Sequence, residues 1–163
     1  MSHTSAEILR EVLESLQPYP QMQFLLFADR WGALEEELLE FCRQKDHSLL
    51  LYGLGELSEE APLEDQRLRH RPYRIEQPRY NLQGRLYNHA LVTAKIPDEP
   101  EAFARKLYTG IANAGGLYLR TDSEAVSRWQ TVLERANYVA ASTIPLGKGE
   151  ELLYARKMHG WGS

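Results

Sequence analysis

The sequence predicts an α/β protein, a three-layer sandwich whose sheet is mostly parallel and closes on a C-terminal antiparallel hairpin strand. Three observations carry this. Residues 24–28 and 48–52 are continuous apolar runs, the pattern of strands buried on both faces. Amphipathic stretches of helical period separate the strand-like runs, and parallel neighbours need connections of that length. The last two strand-like runs, 138–144 and 151–158, are joined by Pro145-Leu146-Gly147-Lys148-Gly149. That link is too short for a crossover, so the two must pair antiparallel. The chain has 163 residues, enough to bury a substantial core, and we read residues 1–163 as a single domain.

The elements follow in order. Thr4 or Ser5 can accept a bond from an orphan backbone N–H and start a helix. Ile8, Leu9, Val12, Leu13 and Leu16 lie on one face of that helix, and Pro18 and Pro20 end it. Strand 24–28 breaks at Asp29-Arg30-Trp31-Gly32. The next helix turns Leu34, Leu38, Phe41 and Cys42 inward, and strand 48–52 stops at Gly53-Leu54-Gly55. Residues 56–86 are the least regular: acids first, then Arg67, Arg69, Arg71, Arg74, Arg79 and Arg85 with prolines between them. Residues 73–76 are expected as a short strand and the rest as loop. A strand over 87–94 precedes a helix over 99–114, in which Phe103, Leu107 and Ile111 stack four apart. Gly115-Gly116 is expected to cap that helix in the left-handed conformation. A strand over 117–119 follows. Ser123 then caps a helix with Val126, Trp129, Leu133 and Ala136 inside, which leads to the closing hairpin.

Composition narrows the function. Hydrophobic residues make up 43% and charged residues 26%, which describes a folded chain. With 19 basic and 23 acidic residues, net −4, the overall field does not attract nucleic acid, and no DNA partner is expected. One cysteine, Cys42, excludes an internal disulfide and a cysteine-rich metal site. No apolar run approaches the roughly 20 residues of a membrane helix, and residues 1–7 lack the features of a signal peptide, so a cytoplasmic location is expected. The five histidines show no metal-ligand spacing. Neither a Gly-x-Ser-x-Gly elbow nor a phosphate-binding Gly-Lys-Ser/Thr occurs.

The second half carries a family likeness. Tyr87-Asn88-His89-Ala90-Leu91-Val92 looks like the mid-chain strand motif of the class I S-adenosylmethionine-dependent methyltransferases, an aromatic-acidic pair followed by apolar residues. Gly115-Gly116-Leu117-Tyr118-Leu119 matches that family's Gly-Gly step into the next strand, and Asn137-Tyr138 stands where members enter the sixth strand. Residues 86–158 thus resemble the C-terminal half of that family. The resemblance implies a Rossmann-like fold, S-adenosylmethionine as cofactor and a small-molecule or protein partner. No Asn-Pro-Pro-Tyr run is present, which counts against methylation of adenine or glutamine.

The N-terminal half departs from the family pattern. There, a glycine-rich turn follows the first strand and an acid at the end of the second holds the ribose. If 24–28 is the first strand, that motif is degraded to one glycine, Gly32, with bulky Trp31 beside it. Glu56 is then the nearby ribose acid. If 49–52 is the first strand, Gly53-Leu54-Gly55 supplies the turn, but the segment after it is a poor helix. The first placement gives a normal crossover and is preferred.

The resemblance therefore names Asp29, Gly32, Gly53, Gly55 and Glu56 as the candidate cofactor site. Each has another reading: Asp29 as a helix cap, the glycines as turn formers, Glu56 as a solvated acid. Thr93 and Lys95, at the far end of their strand, face a substrate on the same model. Two alternatives remain open. One is a catalytically inactive relative serving as a binding or scaffold subunit. The other is an RNA-binding module using Arg67–Arg85 with Tyr73 and Tyr80, set against pairing of those arginines with the preceding acids. Cys42, on an inner helical face, is expected in the core. Trp161, between two glycines near the chain end, is expected to dock on its own domain.

Overall fold

Apolar continuity in two strands explains the layering. In β1 (Gln23–Ala28) and β2 (Ser48–Gly53) every residue after the first is buried. Alternate side chains leave opposite faces of a strand. Leu25, Phe27, Leu50 and Tyr52 join one core cluster, and Phe24, Leu26, Leu49 and Leu51 join the other. A sheet with two apolar faces must be covered twice. The computed structural model describes residues 4–53, 61–62, 64–72, 86–96 and 100–157. In it, α1 (Ser5–Glu14) and α2 (Ala33–Lys45) cover the second cluster, while α3 (Pro100–Tyr108) and α4 (Val126–Arg135) cover the first.

The remaining strands are β3 (Leu68–Pro72), β4 (Tyr87–Val92), β5 (Ile111–Asp122), β6 (Tyr138–Gly147) and β7 (Glu150–Lys157). They complete a seven-stranded sheet in the order β3-β2-β1-β4-β5-β7-β6. The pairings from β3 through β5 are parallel, and β7 is antiparallel to both β5 and β6. The expected three-layer sandwich with a reversed closing strand is what forms. The chain winds outward from β1 to β3, then returns to place β4 on the other side of β1. That reversal puts the topological switch point at the carboxyl ends of β1 and β4, where open α/β sheets take ligands. Among the described residues, no helix is long and apolar enough to cross a membrane.

Local chemistry sets the element ends. Thr4 accepts from the Glu7 N–H at 3.1 Å and caps α1. Between β6 and β7 only Lys148 and Gly149 are unpaired, and both have positive φ, 54° and 76°. A two-residue turn of that sign matches the twist of its strands.

Ser123, expected to cap the helix before β6, instead opens a 3-10 turn with its hydroxyl donating to the Gly149 carbonyl at 3.0 Å. Two larger expectations also need correcting. The helix expected over 99–114 ends at Tyr108, because Ile111 begins β5 and not another helical turn. Thr109 and Gly110 close α3 with N–H bonds to Lys106 and Leu107 carbonyls, and the Gly110 carbonyl already accepts from Tyr87 of β4. Gly115 and Gly116 consequently lie inside a strand and cap no helix. Secondly, β3 occupies 68–72, where loop was expected, in parallel register with β2. Its only core side chain among those described is Leu68, so it carries no strand-like apolar pattern. The strand expected over 73–76 lies outside the described residues, as does Trp161.

Candidate functional site

The carboxyl edge of the sheet begins where β1 stops at Ala28, which is fully buried. The turn that follows does not present Trp31 to solvent. Its ring is 6% exposed and packs with Ala28, Leu34 and Leu38 in the cluster under α1 and α2. Its Nε1–H donates to Glu36 Oε2 at 2.8 Å. Gly32 is the N-cap of α2, and its N–H donates to Glu35 Oε1 at 2.8 Å. This is the returning half of a capping box. Asp29, half-buried, is therefore not the cap of α2.

Glu35 is the most unusual residue here. It is 2% exposed, and its Oε2 is buried with no hydrogen-bond partner among the described residues. A buried acceptor left unmet costs about 1–3 kcal/mol. The positive end of α2 offsets part of that cost. Sequence reasoning passed over Glu35, although a glutamate three positions after a cap residue was the signal.

At β4 the edge is laced to β1. The N–H groups of Thr93 and Ala94 both donate to the Phe27 carbonyl, at 2.9 and 3.1 Å. The Thr93 hydroxyl donates to the same oxygen at 3.4 Å and is buried. Beyond this tie lies a cleft of about 180 Å³ lined by Thr93, Lys95, Ile96, Arg120, Asp122 and Trp129. Arg120, on β5, donates from Nη2 to the Thr93 carbonyl at 2.8 Å, and its Nε lies 3.8 Å from a Glu150 carboxylate oxygen. Its side chain, 14% exposed, is thus held as a fixed positive wall. Arg120 was not singled out in the sequence, because nothing local ties it to Thr93. Thr93 and Lys95 come together in one cleft. Asp29, Gly32 and Gly53 stand at the ends of β1 and β2, and Gly55 and Glu56 lie outside the described residues.

Other candidates resolve into structure. Asn88, in the acidic position of the family motif, accepts the Gln23 N–H through Oδ1 at 2.9 Å and ties β4 to β1. Arg67 pairs with Asp46 at 2.8 Å and donates to the His47 carbonyl at 3.1 Å. Cys42 is fully buried, and burial pushes its thiol up to about 12, so it is core and not a nucleophile.

No family model matches the sequence, and no curated protein matches it. Solved structures do match its shape. The citrinin polyketide synthase CMeT domain superposes with a TM-score of 0.75 at 13% identity, over 95% of this chain and 52% of that one. The CurJ carbon methyltransferase gives 0.71 at 14% identity, over 95% and 54%. Human N-acetylserotonin methyltransferase, solved in complex with SAM, gives 0.67 at 10% identity, over 94% and 55%. The fold is that of the S-adenosylmethionine-dependent methyltransferases. The methyltransferase-like chain spans about half the length of these three structures. Identity this low carries shape and leaves chemistry to the site.

Proposed function

We propose that this methyltransferase-like chain binds S-adenosylmethionine across the carboxyl ends of β1 and β2 and holds a methyl acceptor in the cleft beyond β4 and β5. The observation that carries this reading is the unpaired, buried Oε2 of Glu35 beside the turn after β1. A carboxylate oxygen there suits a cationic donor, and the cofactor's methionine part carries an ammonium. Trp31, turned into the core, leaves the turn itself to backbone groups of Asp29–Gly32. Gly53 brings β2 to the same edge with no side chain. On the family pattern, Glu56 is assigned to the ribose and Gly55 to the lining of the cofactor pocket.

S-adenosylmethionine, when bound, supplies an electrophilic methyl group. The chain's own part is to bind and orient. Lys95 and Arg120, balanced by Asp122 and Glu150 in the same lining, favour a polar acceptor, and Trp129 and Ile96 supply its apolar wall. Holding both reactants in line lowers the barrier through proximity alone. The location we propose is cytoplasmic, matching the cofactor.

Calorimetric titration with S-adenosylmethionine and its demethylated product tests this. One saturable site is expected. At a hundredfold excess over Kd it adds about 2.7 kcal/mol of stability, and a domain of this size then melts about 5–10 °C higher. Glu35→Gln is expected to weaken binding about tenfold. The absence of both binding heat and a thermal shift at millimolar ligand would overturn the reading.

A further inference from the structure

The opposite, amino-terminal edge of the sheet carries a second cavity, of about 570 Å³, roughly 13 Å along β4 from the cleft just described. Its wall is a bulge. Between the pairs Tyr87–Ile111 and His89–Gly116 the β5 strand carries extra residues, which loop away from the sheet. The cavity opens between that bulge, the segment after α1, and the ends of β6 and β7. Its volume falls in the range of small-molecule sites.

The lining has a distinct chemistry. Tyr118 of β5 and Tyr154 of β7 oppose each other across the ladder, with ring centroids 5.0 Å apart and planes 20° from parallel. Arg156 donates from Nε to the Tyr154 hydroxyl, and its guanidinium carbon lies 5.8 Å from that ring's centre. His89 lies 6.0 Å from Tyr118 between ring centres. Gly116 donates its N–H to His89 Nδ1 at 3.1 Å, so the neutral ring carries its proton on Nε2, as a donor. Among the described lining residues Arg156 is the one full charge, and there is no carboxylate, in a chain with net charge −4. Such a cavity rejects cations and offers an anion a guanidinium, an imidazole N–H and the Asn88 amide.

We propose that this cavity binds a planar aromatic carboxylate, with Arg156 and His89 Nε2–H taking the acid and the half-buried Tyr154, backed by the buried Tyr118, forming the aromatic wall. Arg156 matches a carboxylate's two oxygens, and stacked rings favour a flat apolar partner. The site is separate from the proposed cofactor crevice and does not depend on it.

The test is calorimetric titration of the full chain with 2-naphthoate, beside 2-naphthamide (flat but uncharged) and cyclohexanecarboxylate (charged but not flat). Saturable binding of 2-naphthoate is expected, with each control at least about tenfold weaker. Arg156→Gln is expected to lose about tenfold in affinity with its melting temperature unchanged. The Gly116 amide resonance should shift on titration, because its acceptor is His89. If the variant fails to fold, the naphthoate-to-naphthamide ratio on the native protein still decides. Equal binding of those two, no binding at millimolar naphthoate, an unmoved Gly116 resonance, or competition by S-adenosylhomocysteine would each overturn the proposal.

Discussion

His89 links the packing of single residues to the stability of the chain. Burial, reinforced by the Arg156 charge, holds its imidazole pKa down to about 4, below the ordinary value of 6.5. As pH falls from neutrality the unfolded chain therefore takes up the proton first. Stability from this group is complete above about pH 6.5 and is lost progressively toward pH 4. A shift of this size corresponds to a loss of about 3 kcal/mol. His47, which accepts the Met22 N–H through Nδ1 at 2.9 Å, is pushed the same way by burial. Asp65 is held low, first by the Arg67 backbone N–H and then by Arg43, so its contribution fades only below that window. Urea unfolding at pH 7.5 and 4.5 checks this. His89→Asn keeps an oxygen that can accept from Gly116 and is expected to lose markedly less stability between the two pH values. An equal loss in both proteins would remove His89 from the account.

The bulge in β5 was the element hardest to read. Phe103, Leu107 and Ile111 recur four apart, which suits one long helix. The same residues are buried when the helix stops at Tyr108 and Ile111 enters the sheet, so periodicity alone does not separate the two. The glycines carry the distinction. A Cβ at Gly115 would lie 2.5 Å from the Asn88 carbonyl oxygen and 2.8 Å from that of Ala112, backbone atoms that cannot give way. A Cβ at Gly116 would meet the His89 and Tyr118 side chains at 3.0 Å, where rotation relieves part of the contact. Gly115→Ala is expected to cost about 2 kcal/mol, within the range for overpacking. That lowers the melting temperature by about 4–8 °C. Gly116→Ala is expected to cost less. Thermal unfolding of the two variants side by side gives the order, and a reversed order would contradict the bulge geometry.

Across the whole molecule, stability should follow sheet position. β1, β4 and β5 have hydrogen-bonded neighbours on both sides, whereas β3 and β6 are the edges. Amide exchange is expected to be slowest at Leu25–Phe27 and Leu91–Val92, and faster by orders of magnitude in β3. Uniform protection across all strands would argue against this ordering. The layering, the parallel strands and the reversed closing pair were legible in the sequence. Burial on both faces, crossover length and a short last turn are local properties, written in consecutive residues. β3 was not legible, because an edge strand with one core side chain among those described, set among arginines and a histidine, leaves no apolar pattern to find. The candidate sites were legible only in part. Thr93 and Lys95 are neighbours in sequence, and a strand end announces itself. The Arg120 tie to Thr93, the stranded oxygen of Glu35 and the grouping of His89, Tyr118, Tyr154 and Arg156 were decided by the tertiary structure. Register between distant strands sets which side chains meet, and burial sets which polar atoms lose water. Neither is encoded in any single stretch of chain.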